Sequence, residues 1–153
     1  MSTIFNVKKE RNLSTKEKYA LFLITFIGAT LRILYQYNRS YLGDEVGTII
    51  WMEKDVSYLL SHFAVWLTMN YFIVLEKFIS GFLGNNSFSL GFIPLTSGIV
   101  AIPLTANLAH RFTTSRVAIM ASSFVAINPY LIMYSGIIRS YSLLMMLSIL
   151  SLI

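Results

Sequence analysis

The stretch between Lys77 and Arg111 contains no formally charged residue, and this feature restricts the fold more than any other. Over the whole chain only 12% of the residues are charged and 56% are hydrophobic, whereas a soluble domain carries about 25% charged residues. Lipid is therefore the predicted solvent. We predict an all-α membrane protein, a multi-span helical bundle with juxtamembrane amphipathic helices in its first outer loop.

Three further counts narrow the class of protein. Aromatic residues make up 14% of the chain, which excludes disorder. Cysteine is absent, which excludes a disulfide framework, a thiolate nucleophile and a zinc–cysteine site. The net charge is +5, and five of the twelve basic residues precede the first apolar stretch: Lys8, Lys9, Arg11, Lys16 and Lys18. This cluster indicates an orientation signal for the membrane rather than a nucleic-acid-binding surface.

Four apolar stretches are predicted to enter the membrane, whose hydrocarbon core is about 30 Å thick. They cover about residues 19–37, 88–108, 117–134 and 141–153. A signal peptide is the alternative for the first stretch, but a small-residue cleavage pattern is missing. The last stretch stops after about 13 of the roughly 20 residues that a span needs. We therefore expect a fragment, with a basic cytoplasmic tail at 1–18 and the N-terminal part of a transmembrane domain at 19–153.

The segment from Val56 to Leu83 is apolar enough to be a further span, but the parity of crossings argues against it. If it crossed as well as 88–108, the basic loop 110–116 would lie outside, against the positive-inside rule. We predict instead a helix at or dipping into the outer interface, within an outer loop at 38–87. Its polar positions are Ser61, His62, Thr68, Asn70, Glu76 and Lys77. The predicted location is a bacterial cell membrane, with the N-terminus in the cytoplasm.

The first part of the outer loop, from Asp44 to Glu53, predicts a second short amphipathic helix. Its apolar positions at helical spacing are Val46, Ile49 and Ile50. Trp51 lies beside them and is typical of an anchor at the membrane interface.

Asp44 and Glu45 lie at the predicted start of this helix and have two interpretations. Carboxylates accept backbone N–H bonds and favour the positive end of a helix dipole, so both residues could serve only as caps. Alternatively, one is a general base or metal ligand at the membrane surface, where partial desolvation raises a carboxyl pKa toward neutrality. Adjacent helical residues point about 100° apart, so one would catalyse and the other would orient it.

Three other ionisable residues each have a structural and a functional interpretation. Arg139, on the same predicted side as Asp44, is either a solvated interface arginine or a bidentate ligand of a phosphate. His62 is either satisfied locally on its apolar helix or part of a site on the outer face. Arg32 either extends its head group to the interface or binds a lipid phosphate.

The order and spacing of these residues resemble the GT-C class of membrane glycosyltransferases, specifically the superfamily of protein O-mannosyltransferases and bacterial aminoarabinose transferases. The matching elements, in chain order, are Asp44-Glu45, His62 with the aromatic run Trp66 to Phe72, Gly84-Asn85-Asn86-Ser87-Phe88, Ile93-Pro94-Leu95, Pro129, Tyr134-Ser135, Arg139 and Tyr141. Phe63, Gly91 and Ile137 depart from the family pattern. The resemblance covers nearly the whole chain and corresponds to about the N-terminal third of a typical member.

The resemblance implies transfer of a sugar from a polyprenyl-phosphate carrier to a protein or glycolipid acceptor on the outer face, with inversion at the anomeric carbon. It implies that Asp44 takes the acceptor proton and that Arg139 stabilises charge on the donor phosphate. Orienting and supporting roles fall to Glu45, His62, Tyr141 and Arg32, with Tyr141 at the donor phosphate. No ligand cluster demands a metal, although a divalent ion could bridge Asp44 and the phosphate.

Two other classes of function compete with the enzyme. A non-catalytic multi-pass scaffold or subunit would use the Asp44-Glu45 pair only to cap a helix. A transporter fragment is less favoured, because transporters usually place ionisable residues within spans near the midplane, whereas these charges lie at span ends.

Overall fold

The computed structural model describes residues 13–61, 67–84 and 86–153, and this part of the chain is helical without any strand. Its helices are α1 (Thr15–Asn38), α2 (Gly43–Met52), α3 (Val56–Ser61), α4 (Leu67–Leu83), α5 (Ser87–Leu90), α6 (Phe92–Phe112), α7 (Ser115–Ile127), α8 (Pro129–Gly136) and α9 (Tyr141–Ser151). The predicted all-α class is confirmed.

Two of the described helices, α1 and α6, are long and apolar enough to cross a membrane. Helices α7 and α8 meet at a bend of 56° and make a third candidate if they form one broken span. Helix α9 is apolar but shorter. Two or three candidate spans therefore support the predicted membrane protein.

The second predicted span is displaced along the chain. We predicted 88–108, but α6 begins at Phe92, because Asn86 starts the separate short helix α5 and Gly91 ends it. The side chain of Asn86 accepts the N–H groups of Phe88 and Ser89. Pro94 then falls in the first turn of α6, where a missing N–H costs no helical hydrogen bond.

Close contacts at glycines fix the directions of the long helices. A β-carbon at Gly28 of α1 would lie 2.5 Å from Ile102 of α6. A β-carbon at Gly91, just before α6, would lie 2.1 Å from Gln36. The end of α1 therefore meets the start of α6, so these two helices are antiparallel.

The antiparallel arrangement separates the charged residues into two groups. Arg111, at the end of α6, donates a hydrogen bond to the carbonyl of Ile153 after α9. We define the basic end of the bundle by Lys16, Lys18, Arg111 and Arg116. The opposite end, defined by Arg39, Asp44 and Arg139, is called the pocket end.

Arg32 donates hydrogen bonds to backbone carbonyls at the break between α7 and α8. Pro129 has no N–H, so the carbonyl of Val125 loses its helical partner. The guanidinium of Arg32 donates to the carbonyls of Val125 and Ala126, both at 2.9 Å, and to the hydroxyl of Ser135 at 3.1 Å. In an apolar surrounding each unsatisfied carbonyl costs several kcal/mol, so a fully buried arginine is stabilising here.

The segment between α1 and α6 begins and ends at the pocket end. Its start is tied to Arg39 through Glu45, and its end at Gly91 contacts Gln36. Helices α2 and α4 lie side by side, because Lys77 donates to the carbonyls of Met52 and Lys54 at the end of α2. The segment therefore returns to the end of the bundle at which it starts, and whether it enters the membrane stays a prediction.

Helix α2 forms where it was predicted, and the stretch predicted as one helix over 56–83 is described as α3 and α4, with 62–66 outside the described residues. The exposed faces of α2 and α4 are apolar rather than polar. In α2 the apolar Val46 and Ile50 are exposed, whereas Glu45 and Thr48 are buried. Helix α4 exposes Tyr71, Leu75, Phe78 and Phe82, and its buried face combines the core residues Phe72 and Ile73 with the polar Asn70, Glu76 and Ser80. Exposed apolar faces and buried polar ones suit helices whose outer surroundings are lipid.

Glu76 is a fully buried ionisable residue on α4. This helix is not among the candidate spans. We expected Glu76 to face water, but it is fully buried against protein and neither carboxyl oxygen makes a hydrogen bond within the described residues. Burial raises the pKa of Glu76 to about 8, although the nearby Ile93 amide at the start of α6 acts to lower it. The raised pKa favours the neutral acid, which lowers the cost of burying this group.

Candidate functional site

The carboxylate of Glu45 ties together three parts of the pocket end. It accepts two hydrogen bonds from the guanidinium of Arg39, at 2.6 and 2.7 Å. It also accepts the N–H of Leu42 at 2.8 Å, which caps α2, and the N–H of Ile138 at 2.7 Å, in the turn between α8 and α9. Arg39 and Glu45 side chains are 7% and 0% exposed. We call this buried arrangement the Glu45 knot.

In the Glu45 knot, hydrogen bonds keep the buried carboxylate ionised despite the free-energy cost of burying a charge. Burial alone would raise the pKa of Glu45, but the hydrogen bonds from Arg39 and from the amides of Leu42 and Ile138 outweigh it and lower the pKa. Glu45 is therefore ionised at neutral pH, with its oxygens directed at these donors. The predicted capping role of Glu45 is confirmed by the Leu42 bond, and the knot also fixes the turn that carries Arg139.

Asp44 and Arg139 meet at the pocket end although 95 residues separate them. A terminal guanidinium nitrogen of Arg139 donates to the backbone carbonyl of Asp44 at 2.7 Å and lies 3.8 Å from its carboxylate. The Asp44 side chain is 85% exposed, in contrast to its buried neighbour Glu45. The pair thus divides as adjacent helical positions require, with one carboxylate accessible and one fixed in the structure.

A pocket of about 220 Å³ opens beside this pair, between α2, α4 and the turn after α8. Its lining combines charged, polar and apolar groups: Gly43, Asp44, Gly47, Thr48, Trp51, Asn70, Ile73 and Arg139. We call it the Asp44 pocket. It is smaller than the roughly 300–1,000 Å³ typical of sites for drug-sized ligands, so it fits one small part of a ligand rather than a long chain.

Of the other predicted site residues, only Tyr141 lies near this end in the described structure. Its ring packs edge-to-face on Tyr134, with centroids 5.3 Å apart, at the start of α9. It is not among the residues that line the Asp44 pocket. His62 lies outside the described residues.

Arg32 has neither of the roles that we expected. Its guanidinium is fully buried between helices and is bound to backbone carbonyls at the break before Pro129. It therefore does not extend to the interface, and its position leaves no access for a lipid phosphate. Its contribution to the pocket end is indirect, through the bend that directs α8.

Sequence reasoning did not find Arg39. This arginine follows the first predicted span directly, and its partner Glu45 comes six residues later. No helical or strand spacing pairs such positions, because the chain changes direction between α1 and α2. The available signal was a basic residue at the predicted outer end of a span, close to a carboxylate pair.

A larger cavity of about 520 Å³ lies on the other side of α2, lined mainly by α2, α4 and Leu90. The ammonium of Lys77 borders it, but this group is bound to the carbonyls that end α2. Within the described ranges, no group of three or more His, Cys, Asp or Glu side chains could hold a metal ion. A metal bridge between Asp44 and a phosphate stays a prediction.

No family model, curated protein or solved structure matches the chain. The resemblance to GT-C enzymes therefore stays a prediction.

Proposed function

We propose that the protein is a membrane glycosyltransferase of the GT-C type, which binds a polyprenyl-phosphate-linked sugar at the Asp44 pocket. In this proposal the acceptor is a protein or glycolipid at the outer face of a bacterial cell membrane. The observation that carries the proposal is the approach of Asp44 to Arg139 within 3.8 Å at the mouth of a small pocket. In an inverting displacement a base and a phosphate ligand act on opposite faces of the sugar, so this proposal requires the two side chains to separate around the bound ring.

Each group suits one part of that displacement. The exposed Asp44 carboxylate is accessible to an acceptor hydroxyl and would take its proton as the oxygen attacks the anomeric carbon. The bond between that carbon and the phosphate oxygen would break, and the polyprenyl phosphate would leave with the electron pair. Arg139 would stabilise the phosphate charge, because a planar guanidinium suits bidentate binding of phosphate oxygens.

In this proposal the polyprenyl tail of the donor lies along the exposed apolar face of α2. The Asp44 pocket is too small for a polyprenyl chain, so the tail would lie outside it, in the lipid. Val46 and Ile50 on α2 are exposed beside the pocket residue Gly47. A polar head held by Asp44 and Arg139, with the tail along apolar α2, is the arrangement expected for a ligand at a membrane interface.

The proposed orientation rests on the distribution of charge. The N-terminal tail and the loop after α6 carry seven Lys and Arg residues, and the segments at the pocket end carry four: Lys8, Lys9, Arg11, Lys16, Lys18, Arg111 and Arg116 against Arg39, Lys54, Lys77 and Arg139. At the pocket end, Arg39 pairs with Glu45 and Arg139 approaches Asp44. The positive-inside rule then places the basic end in the cytoplasm and the pocket end outside. In this proposal α1, α6, the bent α7–α8 pair and α9 make the multi-span bundle.

Binding of a lipid phosphate is the experiment that tests this proposal. Trp51 lines the pocket and the chain has two tryptophans, so a Trp66→Phe background leaves Trp51 as the single reporter. We expect undecaprenyl phosphate to change its fluorescence saturably in nanodiscs. Arg139→Ala should weaken this binding about 10- to 100-fold, because a hydrogen bond to a charged group contributes about 1.5–3 kcal/mol.

Two controls make the binding result specific. Undecaprenol, which has the same tail without a phosphate, should bind no better to the wild type than to Arg139→Ala. Arg116→Ala removes an arginine from the basic end and should leave the affinity for undecaprenyl phosphate unchanged. Equal affinity of the wild type and Arg139→Ala for the phosphate would contradict the proposal and favour a non-catalytic scaffold.

A further inference from the structure

The glycines of this chain divide into two groups by what surrounds them. At Gly28, Gly91, Gly98 and Gly136 an added β-carbon would lie under 3.0 Å from a neighbouring side chain, so packing accounts for them. At Gly43, Gly47, Gly81 and Gly84 an added β-carbon would meet no atom of the described residues within 4 Å. Three of these four line cavities: Gly43 and Gly47 the Asp44 pocket, and Gly81 the larger cavity.

Gly47 is the least expected of the open glycines. It lies in the middle of α2, where glycine costs about 1 kcal/mol of helix stability relative to alanine. Its backbone has no positive φ, because in the described residues only Gly84 has one. Neither backbone conformation nor close packing requires a glycine at this position, so what it provides is free space.

Gly47 lies between the other residues of α2 that line the Asp44 pocket. Asp44 and Gly47, and likewise Thr48 and Trp51, are three positions apart and so share one side of the helix. Asp44 and Thr48 contribute oxygen groups, and Trp51 contributes a flat aromatic surface with one N–H donor. A small, flat ligand with several hydroxyl groups would satisfy this mixture of polar atoms and aromatic surface.

We propose that Gly47 is the specificity-determining residue of the Asp44 pocket, and that the space it leaves admits a single sugar ring of the lipid-linked donor. The inference rests on the proposed function and deepens it, because it separates the place of the sugar from that of the phosphate. The phosphate binds at Arg139, and the ring occupies the volume over Gly47 beside Trp51. A side chain at position 47 would compete with the ring and leave the phosphate contact intact.

Comparison of two lipids on one variant tests this separation. The probes are undecaprenyl phosphate and its monosaccharide derivatives with glucose or mannose, titrated against Trp51 fluorescence in the Trp66→Phe background. We expect the wild type to prefer at least one monosaccharide lipid over the bare phosphate. Gly47→Leu should abolish that preference, with a loss of 10-fold or more for the sugar lipid, and should change the affinity for bare undecaprenyl phosphate less than twofold.

Two further variants separate an effect on the ring from an effect on folding. Gly47→Ala adds one methyl group and favours the helix, so it should fold at least as well as the wild type and weaken sugar-lipid binding less than Gly47→Leu does. Gly81→Leu fills open space at the larger cavity and should leave both affinities unchanged. Thermal unfolding of each variant in detergent checks that it is folded before it is titrated.

The possible failures point to different claims. If the wild type binds the bare phosphate and the sugar lipids equally, or if Gly47→Leu weakens both alike, the role of Gly47 is wrong while the phosphate site stands. If the wild type binds neither lipid, both the proposed function and the role of Gly47 are wrong.

Discussion

Replacement of Glu45 by glutamine is expected to destabilise the protein by about 3 kcal/mol, because removing one partner of a buried ion pair leaves the other charge uncompensated. The change keeps the size of the side chain and removes its charge. The Arg39 guanidinium then stays buried without a carboxylate, and the amide of Ile138 loses a charged acceptor. Unfolding in detergent, followed by circular dichroism, measures the loss.

The adjacent residue provides the matched control. Asp44→Asn makes the same chemical change one position earlier, at a side chain that is 85% exposed rather than buried. It should leave the unfolding transition where it is, since exposed ion pairs contribute little. A double variant, Arg39→Gln with Glu45→Gln, should lose less than the sum of its single changes. Wild-type stability of Glu45→Gln would show that the knot is not formed.

The Glu45 knot also predicts how stability depends on pH. The pKa of Glu45 is lowered in the folded state from an ordinary value of 4.5. Its stabilisation is therefore complete above pH 4.5 and is lost as the pH falls from there through the lowered folded value. Wild-type protein should lose stability in this range by more than Glu45→Gln does, and equal losses would remove Glu45 as the cause.

In the full-length protein, Asp44→Asn is expected to abolish sugar transfer while membrane insertion and donor binding are kept. Loss of a general base typically lowers the rate by a factor of about 10²–10⁴. Asparagine keeps the shape of the side chain and the backbone carbonyl that binds Arg139, so the phosphate contact should survive. The measurement is the incorporation of labelled sugar from an undecaprenyl-phosphate monosaccharide into acceptors of the host membrane.

A second exposed carboxylate in the same loop is the control for this variant. Asp55→Asn changes an exposed aspartate that does not line the Asp44 pocket, so it should transfer sugar at the wild-type rate. Trp51 fluorescence should show the same affinity of Asp44→Asn and wild type for undecaprenyl phosphate. Wild-type turnover by Asp44→Asn would remove Asp44 from the catalytic role.

Hydropathy and charge were sufficient for most of the fold. The lengths of the apolar stretches predicted helices at α1, α6 and the α7–α8 pair, and the helical spacing of apolar residues after Asp44 predicted α2. The start of α6 was missed by four residues, because the apolar run hides the turn that Asn86 and Gly91 make. Pattern analysis also could not assign the outer face of α4: helical periodicity separates two faces but does not say which one meets lipid.

The sequence predicted the pair Asp44-Glu45 and placed Arg139 on the same side of the membrane, but it did not predict the contacts made where helices end or break. Asp44 and Glu45 were predicted as a pair in which one catalyses and the other orients it; Asp44 is exposed and Glu45 is buried, and the catalytic role stays a prediction. The contacts of Arg39 with Glu45 and of Arg32 with the Val125 carbonyl were not predictable. Both depend on helix ends that meet in space, one at a change of chain direction and one at a proline break.

Cysteine labelling from one side of the membrane tests most directly whether the pocket end faces outward. Because the chain has no cysteine, Asp44→Cys, Arg139→Cys and Arg111→Cys each introduce a single thiol. A membrane-impermeant maleimide applied to intact cells should label positions 44 and 139, and position 111 should react only after the cells are opened. Labelling of 111 from outside, with 44 and 139 protected, would place the pocket end in the cytoplasm and contradict transfer at the outer face.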